Sequence, residues 1–143
     1  MTLLTRRDLG ILAAAAAAIA SNSANAQPAP YAGQGVKLNI IIDKDLEGFP
    51  LQMTRLTLVD IAPGISIPRH LHPAAQEIAF GMDGALTFDV EGQGTTIIKA
   101  GDVLLIPAGV PHVPVGDTSS ATRVLFIHSI TDKNKPFRVD VKS

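Results

Sequence analysis

An all-β sandwich or barrel is the fold class that this 143-residue chain predicts, and three observations carry it. Short apolar runs recur between residues 36 and 141, separated by Gly and Pro signals. No window after residue 26 sustains the 3.6-residue period of an amphipathic helix. One segment alternates strictly, with Leu86, Phe88 and Val90 on one face and Thr87, Asp89 and Glu91 on the other.

Residues 1–26 read as an export signal. Arg6 and Arg7 open it, an Ala-rich apolar stretch runs from Leu9 to Ala20, and Ala24-Asn25-Ala26 offers a small-x-small site, so cleavage is expected before Gln27. The apolar stretch of 12 residues makes about 18 Å of helix, too short to span a bilayer. Thr5-Arg6-Arg7-Asp8-Leu9 resembles the twin-arginine export signal, with Leu where that signal often has Phe. The resemblance implies folding in the cytoplasm, export in the folded state and residence in a bacterial periplasm. It bears on any metal site, because intrinsic affinity rises steeply from Mn²⁺ to Cu²⁺. Metallation before export would let the protein keep a weaker-binding ion.

Residues 27–35, rich in Pro, Ala and Gly, form a flexible lead-in, and residues 36–143 form one domain. Ten strands are expected there: Val36–Ile42, Met53–Ile61, Ile65–His72, Glu77–Met82, Ala85–Glu91, Thr95–Lys99, Val103–Ile106, Val110–Val115, Thr122–Ile130 and Phe137–Val141. Leu86, Phe88, Val103, Leu105 and Phe126 are the expected inward residues, with Gln76 the nearest polar side chain. Few aromatic residues are present, which suggests a small, partly apolar cavity.

Composition excludes several classes. With no Cys there is no disulfide, thiolate metal site, iron–sulfur cluster or cysteine nucleophile. The whole chain carries a net charge of −1; without the signal, ten basic residues face twelve acidic ones and no basic cluster stands out. Nucleic acid is therefore not an expected partner. No apolar run of spanning length follows residue 26, so no integral membrane domain is expected.

Chemistry must then come from His, carboxylates or a bound ion. The four His are His70, His72, His112 and His128. His70 and His72, two apart on a strand, share a face. Glu77 follows after Pro73-Ala74-Ala75-Gln76, enough chain to bend back beside them. His112 follows a Pro-x-Gly turn far along the chain and joins them only through tertiary folding. Taken singly, each has an ordinary explanation as a surface or satisfied core residue. Three imidazoles and a carboxylate would suit Fe²⁺, Mn²⁺, Ni²⁺, Zn²⁺ or Cu²⁺. His128 shares a face with Val124, Phe126 and Ile130. If Arg123 points outward, His128 points inward, as a partner of the ligands or a proton acceptor; otherwise it is a half-exposed strand-end residue.

The spacing resembles the cupin superfamily. Its first motif is met by Gly64, His70, His72, Glu77 and Gly84, and its second by Gly101, Pro107, Gly109 and His112. Gly116 stands where the family often has Asn, which bears on the local turn rather than on the ligands. The resemblance implies a double-stranded β-helix, or jelly roll, holding one divalent transition metal (Fe²⁺ or Mn²⁺ favoured) by His70, His72, Glu77 and His112. It implies a small-molecule metalloenzyme, either a dioxygenase or a Lewis-acid isomerase, lyase or decarboxylase. A non-catalytic ligand-binding or sensor cupin is the other class, and fold does not choose between them. Homodimerisation is expected from the same resemblance, and Lys135-Pro136-Phe137 resembles the strand that follows the barrel in many small cupins.

Overall fold

The structure, a computed structural model, describes residues 34–142; the expected signal and residues 27–33 of the lead-in lie outside the described residues. Among the described residues, ten strands make two antiparallel five-stranded sheets. They are β1 (Val36–Leu46), β2 (Phe49–Ile61), β3 (His70–Leu71), β4 (Ala75–Asp83), β5 (Ala85–Val90), β6 (Gly94–Lys99), β7 (Val103–Ile106), β8 (His112–Gly116), β9 (Thr122–Ile130) and β10 (Val139–Asp140). One sheet runs β1-β2-β9-β4-β7 and the other β10-β3-β8-β5-β6. This is the expected all-β jelly roll. No helix among the described residues is long and apolar enough to cross a membrane.

The core follows the period-two pattern. Leu86, Phe88 and Val90 of β5 are buried against Val59, Ile61, Val124 and Phe126 of the other sheet. Two inward expectations fail: Val103 and Leu105 are 61% and 48% exposed, and Gln76 also points to solvent. Register is the reason. β7 pairs Ile106 with Glu77 and Leu104 with Ala79, and the inward side of β4 carries Glu77 and Ala79, so Ile106 and Leu104 face in.

Three local departures have physical causes. β1 and β2 are longer than expected, at 11 and 13 residues, because Glu47-Gly48 closes them as a tight hairpin with Gly48 at φ 81°. The run Ile65–His72 contributes only His70–Leu71 as a strand, since Pro68 has no N–H for a ladder. Gly116 is not a turn residue: it ends β8, and a Cβ there would sit 3.0 Å from the Ile61 methyl and 3.2 Å from the Ala62 carbonyl. Close packing, not a turn, explains its lack of a side chain.

Gly81 is tighter still. A Cβ on it would meet the Lys99 carbonyl oxygen at 2.1 Å, and that obstacle is backbone. Its own N–H and C=O bond Asp102 and Gly101, so β4 cannot slide away. Gly81→Ala is expected to lower unfolding free energy by about 3 kcal/mol or more, the upper range for overpacking, as read from urea midpoints.

Candidate metal centre

Two rows of paired residues, one across each sheet, build the site. Across the first sheet the register runs Asp43, Arg55, His128, Glu77, Ile106. Across the second it runs Asp140, His70, His112, Val90. Directly paired residues point to the same side, so His128 and Glu77 project from one sheet and His70 and His112 from the other. His72, one residue past β3, keeps the alternation and joins them.

All five side chains are buried, Glu77 to 3% exposure. The ligand atoms of His70, His72, Glu77 and His112 lie within 4.8 Å of one another. One ion at about 2.1 Å from each donor would allow at most about 4.2 Å between them, so a few tenths of an ångström of inward movement suffice.

The protons are also placed for an ion. His70 Nδ1 donates to Pro68 O (2.8 Å), His72 Nδ1 to Phe137 O (2.7 Å) and His112 Nδ1 to Val110 O (3.0 Å). A carbonyl only accepts, so Nδ1 carries the proton in each ring. In a neutral imidazole Nε2 then holds a lone pair. His72 Nε2, His112 Nε2 and Glu77 Oε1 are buried without a hydrogen-bond partner. His72 Nε2 is 3.1 Å from Glu77 Oε2 but lacks the alignment of a hydrogen bond. Dry lone pairs converging on a carboxylate fit a divalent cation.

His128 is placed beside the cluster rather than in it. Its Nε2–H donates to Glu77 Oε2 at 2.8 Å, leaving Oε1 free of that bond. Its face is inward, with Arg123 outside on Asp60.

The sequence matches the cupin domain family over residues 57–128, which is 72 of its 143 residues. The chain belongs to the cupin family. This cupin is 33% identical over 87 residues to germin-like protein 1 of Brassica napus, covering 57% of this chain and 41% of that protein. It is 36% identical over 77 residues to oxalate oxidase GF-3.8 of Triticum aestivum, covering 48% and 34%. The cupin thus spans less than half the length of these relatives. A cupin-like protein from Thermotoga maritima has the same fold, with a TM-score of 0.63 and 24% identity over 76% of this chain and 77% of that one.

Two further residues at this centre, Arg55 and Phe137, lie outside the sequence motifs. Arg55 shares the alternation of Thr57, Val59 and Ile61, so a cation falls on a buried face; its guanidinium lies 4.5 Å from the centre of the Phe137 ring. Phe137 packs its ring 4.6 Å from that of His72 and 4.8 Å from that of His128. Its tail position hid this contact.

Electrostatics agree with the tautomers. Burial pushes the His70 imidazole down to about 3, and burial also lowers His112 and His128. Burial alone would raise Glu77, but the hydrogen bond from His128 outweighs it and holds the carboxyl well below its usual range. The sign of the pH dependence follows. Below about 6.5 the unfolded chain protonates imidazoles that the folded cupin keeps neutral, and below 4.5 Glu77 adds to the same imbalance. Stability is therefore complete above pH 6.5 and is lost as pH falls towards 3. The urea midpoint of metal-free protein is expected to drop between pH 6.5 and 4.5; a flat midpoint would contradict the neutral buried cluster.

Proposed function

We propose that this cupin is an exported metalloenzyme acting on a small organic molecule, with Fe²⁺ or Mn²⁺ held by His70, His72, Glu77 and His112. The carrying observation is the set of fixed Nδ1 protons, with the Nε2 atoms of His72 and His112 and a Glu77 oxygen left unpartnered in one dry site. A bound ion of this kind supplies Lewis acidity and, for iron or manganese, redox chemistry with dioxygen. The similarity to a wheat oxalate oxidase supports an oxidative reaction, of which the dioxygenase type is one, over isomerase or lyase chemistry. His128 orients Glu77 by donating to Oε2. Ile106 and Val90, neighbours of Glu77 and His112 in the two rows, add apolar surface that limits water. His70, His72, Glu77 and His112 would hold the ion, and with four protein ligands it would still be accessible to a substrate.

The test begins with metal content. Protein loaded with Fe²⁺ or Mn²⁺ is expected to bind one ion per chain and to take up oxygen with a member of a panel of diphenols, β-diketones, flavonols and small carboxylates. His72→Ala and Glu77→Ala should lose the ion together with the stabilisation it gives, about 2.7 kcal/mol at a hundredfold excess over Kd. Full occupancy without turnover across the panel would leave a binding protein, not an enzyme.

Export and assembly belong to the same proposal. Arg6-Arg7 and Ala24-Asn25-Ala26 support twin-arginine export to the periplasm. The edge strand β1 exposes Ile40, Ile41 and Ile42, which supports a homodimer that covers it. The exported protein is expected to start at Gln27 and to sediment as a dimer. Replacing Arg6 and Arg7 by Lys should retain it in the cytoplasm, by fractionation.

A further inference from the structure

The three imidazoles are not held alike. His70 and His112 find their carbonyl acceptors two residues earlier, so those acceptors come with the local chain. His72 donates to Phe137, 65 residues away. Its ligating tautomer is therefore fixed only when the segment after β9 returns across the site.

That segment is tied at both ends. Thr131 N–H donates to Ala74 O at 2.8 Å and Lys133 N–H to Leu51 O at 2.8 Å. Beyond Phe137, β10 pairs Val139 with Leu71 and Asp140 with His70, and Val141 N–H donates to Arg69 O at 3.0 Å. Arg138 Nη2 donates to Pro68 O at 3.1 Å, the carbonyl that also receives the His70 Nδ1 proton. Between these ties the Phe137 ring packs on His72 and His128, and Arg55, itself bidentate on Asp43, covers the ring.

We infer that residues 132–141 form a clamp that completes the metal centre, with Phe137 as the positioning residue for His72. The inference rests on the metal reading of the site. The clamp has little burial of its own: residues 133–136 are exposed and β10 is two residues long, so its local stability is low. The His72 contact links it to the ion. An ion on Nε2 holds the ring where Nδ1–H meets Phe137 O, and a docked Phe137 O holds Nε2 towards the other donors. Linkage makes the effect reciprocal: the factor by which docking raises ion affinity is the factor by which the ion favours docking.

The experiment uses mature protein with Mn²⁺ or Zn²⁺ titrated against a chelator, and hydrogen exchange of residues 132–141 with and without the ion. Phe137→Ala keeps the backbone carbonyl but removes the ring that packs it onto His72 and His128, and is expected to weaken ion binding towards the about 10–100-fold seen when a partner that orients a ligand is lost. Phe137→Tyr, which keeps the ring, should stay close to the parent. The ion should slow exchange in residues 132–141 of the parent and do so far less in Phe137→Ala. Ile98→Ala, a core truncation on β6, serves as the control for plain destabilisation and should keep parental affinity. Unchanged affinity in Phe137→Ala, or clamp exchange in the parent that ignores the ion, overturns the inference. Equal ion binding by the parent and Glu77→Ala would instead overturn the metal reading beneath it.

Discussion

Glu77 is a charge with almost no solvent, and the rest of the site answers to it. An uncompensated carboxylate in a dry interior costs several kcal/mol, so burial at 3% exposure requires partners. His128 serves one oxygen by hydrogen bond, while Oε1 has none. The three other imidazoles have given their only proton to backbone carbonyls and turn lone pairs, not donors, towards the acid. Neutral lone pairs around an anion do not stabilise it. A divalent cation satisfies both at once, which makes the arrangement intelligible as a ligand set and hard to understand as packing.

Strand register delivers those groups. Glu77 and His128 lie on one paired row, His70 and His112 on another, and each row belongs to a different sheet. A slip of one residue in β4 or β9 would turn a buried acid or imidazole to solvent and expose the apolar residues two positions along. The apolar alternation around the site, such as Ala75, Ala79, Val124 and Phe126, therefore enforces the position of the polar groups within it. Core packing and site geometry are one constraint.

That coupling explains what could be read from the sequence. His-x-His, the following Glu and the distant His after Pro-x-Gly were legible because their spacing is rigid within strands and tight turns. The alternation of β9 grouped His128 with Val124, Phe126 and Ile130, but which of the two faces turns inward was open until the strand's neighbours in the sheet fixed it. Val103 and Leu105 were misplaced because a four-residue strand of apolar residues has no alternation to read, and only its partner β4 decides which side faces in. The β1–β2 hairpin ran past its expected ends for a similar reason: exposed Ile and Leu there break the simple pattern. Phe137 was visible as a tail aromatic, but its carbonyl is backbone and leaves no mark in residue type.

Two arginines complete the electrostatic picture. No cluster of Arg stands out along the chain, yet folding brings Arg55 near His128 and Arg138 near His70 and His112, where each adds a smaller push in the direction that burial sets, away from protonation. Each also pairs with an aspartate, Arg55 with Asp43 and Arg138 with Asp140, so the local net charge changes little. Their effect on the rings is directional. A proton on Nε2 would compete with an ion for the same lone pair, and a nearby cation raises the cost of that proton. A divalent ion would meet the same repulsion but would have four candidate donors at once, including the Glu77 carboxylate. Burial and Arg138 would thus favour coordination over protonation at His70 and His112, while Arg55 acts on His128, which keeps its Nε2 proton for Glu77.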